Sequence, residues 1–170
     1  MASALPGVPV SKSRVEIARL MTQLDANPLG NVHGGVIMRE VDNAGGMAAA
    51  RHAGRICVTA AIDELSFVGP VHVNDLLILS ASVNFVGATS LEVGVRVEAE
   101  PFGGGPRRHT TSAFLVFVSL DENGKPCPVP PLITETADER RRAELGALRR
   151  QMRNERRQRI GAWQESSPES

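Results

Sequence analysis

The strongest constraint on what this chain can fold into is a change of hydrophobic period just after residue 53. From Gly34 to Ala53 the apolar residues repeat as on a helix. At about 100° per residue, Val41, Ala44 and Ala48 fall within roughly 40° of Ile37 and make one stripe. Met38, Asp42, Gly45 and Ala49 form the adjoining row, which puts Asp42 on the shoulder of a buried face. Downstream the period becomes two. Leu77, Leu79, Ala81, Val83 and Phe85 alternate across one strand. In the next, Leu91, Val93, Val95, Val97 and Ala99 alternate with polar residues. Segments 56–67 and 110–120 read as two further strands. Turn residues at Gly87-Ala88-Thr89-Ser90 and Gly103-Gly104-Gly105-Pro106 predict that these strands form an antiparallel meander. Upstream, 15–24 reads as a strand.

A sheet of this size needs cover on one face, and the helix over 34–53 is the only buried element available to supply it. The expectation is an α+β chain with one domain, a long central helix wrapped by a curved antiparallel sheet. Its core must be aliphatic, because aromatics are only 4% of the 170 residues and tyrosine is absent. We expect a loose lead-in over 1–13, where Pro6, Gly7 and Pro9 oppose regular structure. The domain follows over 14–133, then a charged helix over 134–160 and a tail over 161–170 with Trp163 as its candidate anchor. A lone sheet of this kind leaves an edge strand open, so self-association is expected to cover it.

Formal net charge is zero, which gives no general electrostatic case for nucleic acid or a membrane surface. Residues 135–160 hold nine arginines, but interspersed Glu139, Glu144 and Glu155 favour a solvated or packing helix over a phosphate-binding one. Cys57 and Cys127 match no metal motif and suit a reducing compartment. No segment approaches the roughly 20 apolar residues of a membrane helix, and no signal-peptide run opens the chain. A cytoplasmic location is expected.

The residues that can carry chemistry lie in the stretch Asp25-Ala26-Asn27-Pro28-Leu29-Gly30-Asn31-Val32-His33-Gly34-Gly35-Val36-Ile37-Met38-Arg39-Glu40-Val41-Asp42. Gly34 and Gly35 open a helix whose first amides lack internal partners. Such amides can stabilise an oxyanion forming on a substrate carbonyl. Taken alone, the pair reads better as close packing. Asp42 follows two turns later. Beside an apolar stripe its pKa can rise, which suits a general base toward water; direct nucleophilic attack is the other route. Asn27 can both donate to and accept from a water, although Asn before Pro28 is also an ordinary turn. His33 can donate to a carbonyl or cap the helix, and Asn31 is a candidate cap. His52, His72 and His109 have no evident catalytic company.

Taken together, this stretch resembles the motif of the acyl-CoA thioesterase family of hotdog hydrolases. The likeness continues through Arg51-His52, Val86-Gly87-Ala88-Thr89-Ser90 and Thr111–Val118. It extends to Gly124-Lys125-Pro126 and Pro128–Leu132, and so covers about residues 15–133. The resemblance implies the hotdog fold and hydrolysis of acyl-CoA thioesters. Asn27 and Asp42 match the family's catalytic positions, and Arg51, Thr89 and Ser90 are implied candidates for binding the CoA phosphates. Arg51 suits helix-end stabilisation equally well. No metal or redox cofactor is implied, coenzyme A being part of the substrate. Family members pair the two catalytic residues across domains, which implies Asn27 of one subunit facing Asp42 of another, in a dimer or a trimer of dimers. Two rivals remain. One is an acyl-CoA sensor, although only about fourteen residues precede the first strand. The other is a thioesterase for aryl or short-chain CoA substrates. A hydratase on this fold would need Asp-x4-His, which the sequence lacks.

Overall fold

The helical stripe and the alternating strands meet as one core. The computed structural model describes residues 5–166, with side chains as far as Gly161; the Trp163 side chain and the end of the tail lie outside the described residues. In chain order the elements are β1 (Val8–Pro9), α1 (Val10–Ser13), β2 (Val15–Leu20), a 3-10 turn (Gln23–Asp25) and α2 (Gly34–Ala53). Then come β3 (Cys57–Phe67), β4 (Asp75–Val86), β5 (Ser90–Pro101), β6 (Arg108–Ser119), β7 (Leu132–Ile133) and α3 (Ala137–Ser166). This is the expected long central helix against a five-stranded antiparallel sheet, with a C-terminal helix.

The packing follows from side-chain size. Ile37, Val41, Ala44 and Ala48 of α2 are 0–3% exposed, and they meet Leu77, Leu79, Val93, Val97, Leu115 and Phe117 from the sheet. Burial of each large apolar side chain contributes about 1.5–3 kcal/mol. The small residues of α2 let the helix approach closely. A Cβ on Gly45 would stand 3.0 Å from the Phe117 ring. Gly54, at φ 69°, ends α2 in a left-handed cap with its amide donating to the Ala50 carbonyl.

The sheet order is β2-β4-β5-β6-β3, so the meander holds only for β4, β5 and β6. The strand directly after α2 pairs instead with β6 at the far edge. The helix crosses the face of the sheet, and the strands before and after it therefore sit at opposite edges. Phe85 also departs from expectation. A bulge between Val83 and Phe85 pairs Phe85 with Glu92 and turns its side chain away from the core.

Within the expected lead-in, residues 8–13 are ordered. Val8–Pro9 pairs in parallel with Leu132–Ile133, Val10 and Ser13 are buried, and the Ser13 hydroxyl accepts the Val83 amide at 3.0 Å. The first long strand does not reach residue 24. It stops at Leu20, and Thr22 and Asp25 then form a reciprocal capping box around the 3-10 turn.

The C-terminal helix packs on the outer face of the sheet by polar contacts. Thr136 and Glu139 cap its start, and Arg14 pairs with Glu139 at 3.0 Å. Arg149 forks onto Glu92 at 2.6 and 3.0 Å and lies 3.7 Å from the Phe114 ring centroid. Arg153 pairs with Asp63. Backbone N–H groups of Glu135 and Thr136, with Arg14, hold the Glu139 carboxyl below its ordinary range against the opposing effect of burial. No helix among the described residues is long and apolar enough to cross a membrane.

Two outcomes are expected at this helix. A Cβ on Gly146 would fall 2.7 Å from Phe85 Cβ, so Gly146→Leu should lift α3. Tryptic cleavage within 140–159 should then speed up on the order of 10-fold while the 14–133 core stays intact; an unchanged rate would refute this docking. Acid should loosen the start of the helix. A lowered carboxyl pKa contributes stability above its unfolded value of 4.5 and loses it as pH falls through the folded value. Amide protection factors over 135–142 should therefore drop between pH 6 and pH 3, whereas flat protection would contradict the role given to Glu139.

Candidate active site

The loop ahead of α2 is built around two acidic-amide residues. Asp25 is 5% exposed. Its Oδ2 accepts from the Thr22 amide and hydroxyl at 2.8 and 3.0 Å, and its Oδ1 accepts from Arg19 at 2.7 Å. The Thr22 amide is the leading cause that keeps this carboxyl below its usual range, with burial opposing and Arg19 assisting. Asn27 then closes the loop on itself. Its Oδ1 accepts the Leu29 and Asn31 amides at 2.9 and 3.2 Å, and its backbone N–H donates to the Asn31 carbonyl at 2.7 Å. The carboxamide oxygen is thus occupied by the turn. Only the Nδ2 donor is left to face a ligand, so the expected two-way role toward water narrows to donation.

His33, not Asn31, caps the helix. Its Nδ1 accepts the Gly35 amide at 2.9 Å, which in the neutral ring leaves the proton on Nε2 as an outward donor. The Gly35 amide is therefore taken. Among the described residues no acceptor meets the Gly34 amide, so the expected pair of oxyanion donors reduces to Gly34. A cavity of about 420 Å³ opens beside it, with Asn27, Asn31 and Gly34 among apolar walls that include Ile37, Phe67 and Val71. The Phe67 ring reaches within 3.5 Å of where a Gly34 Cβ would stand.

Asp42 does not line this cavity. It lies two turns on, about 12 Å along the helix axis, and is exposed at the margin of the face that buries Gly45 and Ala49. Its Oδ1 accepts the Thr59 hydroxyl at 2.6 Å from β3. Sequence reading missed Thr59, because a bulge after it breaks the alternation that would have fixed its direction. On this flank Met38, one turn before Asp42 on α2, and Ile62 of β3 are each 42% exposed. They border the open edge of β3, which is paired on one side only.

The three candidate CoA ligands are not brought into contact. Arg51, in the last turn of α2, donates to the Arg14 carbonyl between α1 and β2 at 2.6 Å. Thr89 and Ser90 sit in the turn between β4 and β5, with the Ser90 carbonyl accepting from Gly87 at 2.7 Å. Arg150, which sequence reading did not single out for this turn, lies against it, 2.6 Å from where a Gly87 Cβ would stand. His52 is buried, which lowers its pKa, and it bonds the Pro130 carbonyl at 2.9 Å. A larger cavity of about 630 Å³ lies on the other face of the sheet, between α3 and Ser80, Ser82, Gly94 and Ser112. It holds none of the expected site residues. Among the described residues, no group of three or more His, Cys, Asp or Glu is arranged to hold a metal ion.

Comparison with known proteins gives this geometry its context. The thioesterase superfamily model matches residues 29–102. The rat cytosolic acyl coenzyme A thioester hydrolase is 37% identical over 139 residues, which are 81% of this chain but only 36% of the rat protein's length. A hexameric acyl-CoA thioesterase, solved without ligand, superposes with TM-score 0.86 at 38% identity over 89% of this chain and 97% of its own. A Staphylococcus aureus acyl-CoA hydrolase, solved with butyryl-CoA and CoA, gives TM-score 0.86 at 29% identity over 94% and 98% of the two chains. That enzyme has also been solved with one Asp, one Asn and one Thr each replaced by Ala. On these matches the chain belongs to the acyl-CoA thioester hydrolases of the thioesterase superfamily.

Proposed function

We propose that the protein hydrolyses acyl-CoA thioesters to a carboxylic acid and CoA at a site shared between subunits. The observation that carries this reading is the split between its two halves. The donors Asn27 and Gly34 line a cavity that holds no carboxylate, and the carboxylate at Asp42 lies exposed on an apolar flank two turns away. Each half needs the other from a second copy. The hexameric relative and the open edge of β3 support such an assembly.

In this reading the thioester carbonyl lies at the Gly34 amide, with the His33 Nε2–H as a second donor. The acyl chain runs along Phe67 and Val71. In the partner subunit Thr59 holds one oxygen of Asp42, and the other oxygen takes a proton from water positioned by Asn27 Nδ2–H of this subunit. The resulting hydroxide adds to the carbonyl, the C–S bond breaks, and the proton passes to the departing CoA thiolate. Direct attack by Asp42 on the carbonyl is the other route its position allows. Neither route calls for a metal or a redox group, the CoA being carried by the substrate. Thr89 and Ser90, with Arg150 beside them, are our candidates for a CoA phosphate. The three residue types replaced in the S. aureus enzyme are the three found here as Asp42, Asn27 and Thr59, which supports the assignment. The cytosolic rat relative supports a cytoplasmic location.

The test is CoA release from a panel of short, long and aryl acyl-CoAs. Asp42→Asn should lose at least about 100-fold in kcat, as removal of a general base does. Near-normal turnover would take Asp42 out of the site. Mixing Asp42→Asn with Asn27→Ala and allowing subunit exchange should restore part of the activity, since some sites then regain both residues. No recovery after proven exchange would show that the two act within one chain or not at all.

A further inference from the structure

The loop that carries Asn27 is joined to its surroundings in part by an ion cluster with two buried carboxylates, which the chemistry above leaves unused. Arg19 reaches from β2 between two carboxylates. Its Nη2 donates to Asp25 Oδ1 at 2.7 Å and its Nη1 to Glu40 Oε1 at 2.8 Å. Asp25 and Glu40 are 5% and 8% exposed. Arg39 adds two longer bonds to the same Glu40 oxygen, both 3.2 Å. Asp25 stands two residues before Asn27, and its carbonyl accepts the His33 amide at 2.8 Å. Glu40 stands two residues before Asp42 on α2.

One guanidinium therefore joins three elements: the edge strand, the donor loop and the helix that bears the carboxylate. The loop is stiff within itself, because Asn27 closes it with four hydrogen bonds through its side chain and backbone. Its pose on α2 is then set where it is attached. At its far end that attachment is the Val32 amide on the Val71 carbonyl at 2.8 Å. At its near end it is the His33 amide on the Asp25 carbonyl at 2.8 Å together with the Arg19 guanidinium on the Asp25 carboxylate at 2.7 Å. A planar fork fixes the relative direction of two carboxylates, which the round ammonium of lysine cannot do.

We propose that Arg19 is a positioning residue for thioester hydrolysis, holding Asn27 Nδ2–H in register with the Gly34 amide by clamping Asp25 to Glu40. The proposal rests on the reading of Asn27 and Gly34 given above. Because Glu40 and Asp42 share one helix, the same clamp sets how the donor half-site of a subunit lies relative to the carboxylate it lends elsewhere.

A double-mutant cycle in the assembled full-length protein tests this, with steady-state kinetics for Arg19→Met, Asn27→Ala and the double variant. Each is assayed well below its melting temperature, and its assembly is checked by light scattering. Arg19→Met should lower kcat on the order of 10- to 100-fold, the scale expected for a misplaced catalytic group, with KM within about threefold. In the Asn27→Ala background it should change kcat by less than about twofold, since the group it positions is gone. Equal losses in both backgrounds, a loss carried by KM, or a broken assembly would each overturn the proposal. Near-normal turnover by Asn27→Ala alone is a different result: it removes Asn27 from the site, and Arg19's role falls with it. If Arg19→Met does not fold, Arg19→Lys decides. A folded lysine variant with wild-type kcat refutes the clamp, and one with a severalfold lower kcat at unchanged KM supports it.

Discussion

The seating of α2 in the concave face of the sheet is the contact on which the other features depend. Large residues on the strands meet small ones on the helix, so the helix axis lies close to the sheet and Phe117 packs against Gly45. This seat fixes both halves of the proposed site at once. The first turn of α2 comes to the rim beside Phe67 and Val71, where the free Gly34 amide opens into a cavity. The flank bearing Asp42 turns past the last strand, where the sheet no longer covers it. One rigid element thus sets the donor and the carboxylate about 12 Å apart, too far to act on one carbonyl within one chain.

That separation gives a reason for an acidic residue to stand beside an exposed methionine and an exposed isoleucine. A carboxylate flanked by Met38 and Ile62 would lose water when a second copy covers the flank. The cost is smaller where hydrogen bonds already replace part of that water. Thr59 provides one of them at 2.6 Å before any partner arrives, and leaves one carboxylate oxygen uncommitted. In the reaction proposed above, that oxygen is where a water would be activated. Assembly and reactivity then draw on the same surface.

The parts legible in the sequence were those fixed by local period. Helix α2 was readable from Gly34 to Ala53 because its stripe is regular and Gly54 ends it. Strand β5 was readable because Leu91 to Ala99 are buried on one face while Glu92, Arg96 and Glu98 lie on the other. What escaped depends on one-residue shifts or on distant partners. The bulge at Phe85 reverses a single side chain, and no composition signal marks it. The far-edge pairing of β3 is a consequence of helix placement, not of its own residues. In the active region, residue types were legible but their bonding was not. Asn27 and Gly35 were read with free hydrogen-bonding groups, and folding gives the Asn27 oxygen to its own loop and the Gly35 amide to His33.

Charge pairing shows why a formal net charge of zero says little about where ligands go. Arg149 and Arg153 look like part of a basic patch in sequence, yet both are engaged by Glu92 and Asp63 and hold α3 against the sheet. Arg19 is engaged in the same way within the donor loop. Arg150 differs. It lies against the Gly87–Ser90 turn and 5.7 Å from the Phe85 ring centroid, with no carboxylate partner among the described residues. A guanidinium already paired must break that pair to take a phosphate, whereas one resting on a turn and a ring need not. The arginine to weigh beside Thr89 and Ser90 is therefore chosen by what its neighbours are, and the bulge that turned Phe85 outward is part of what holds it there.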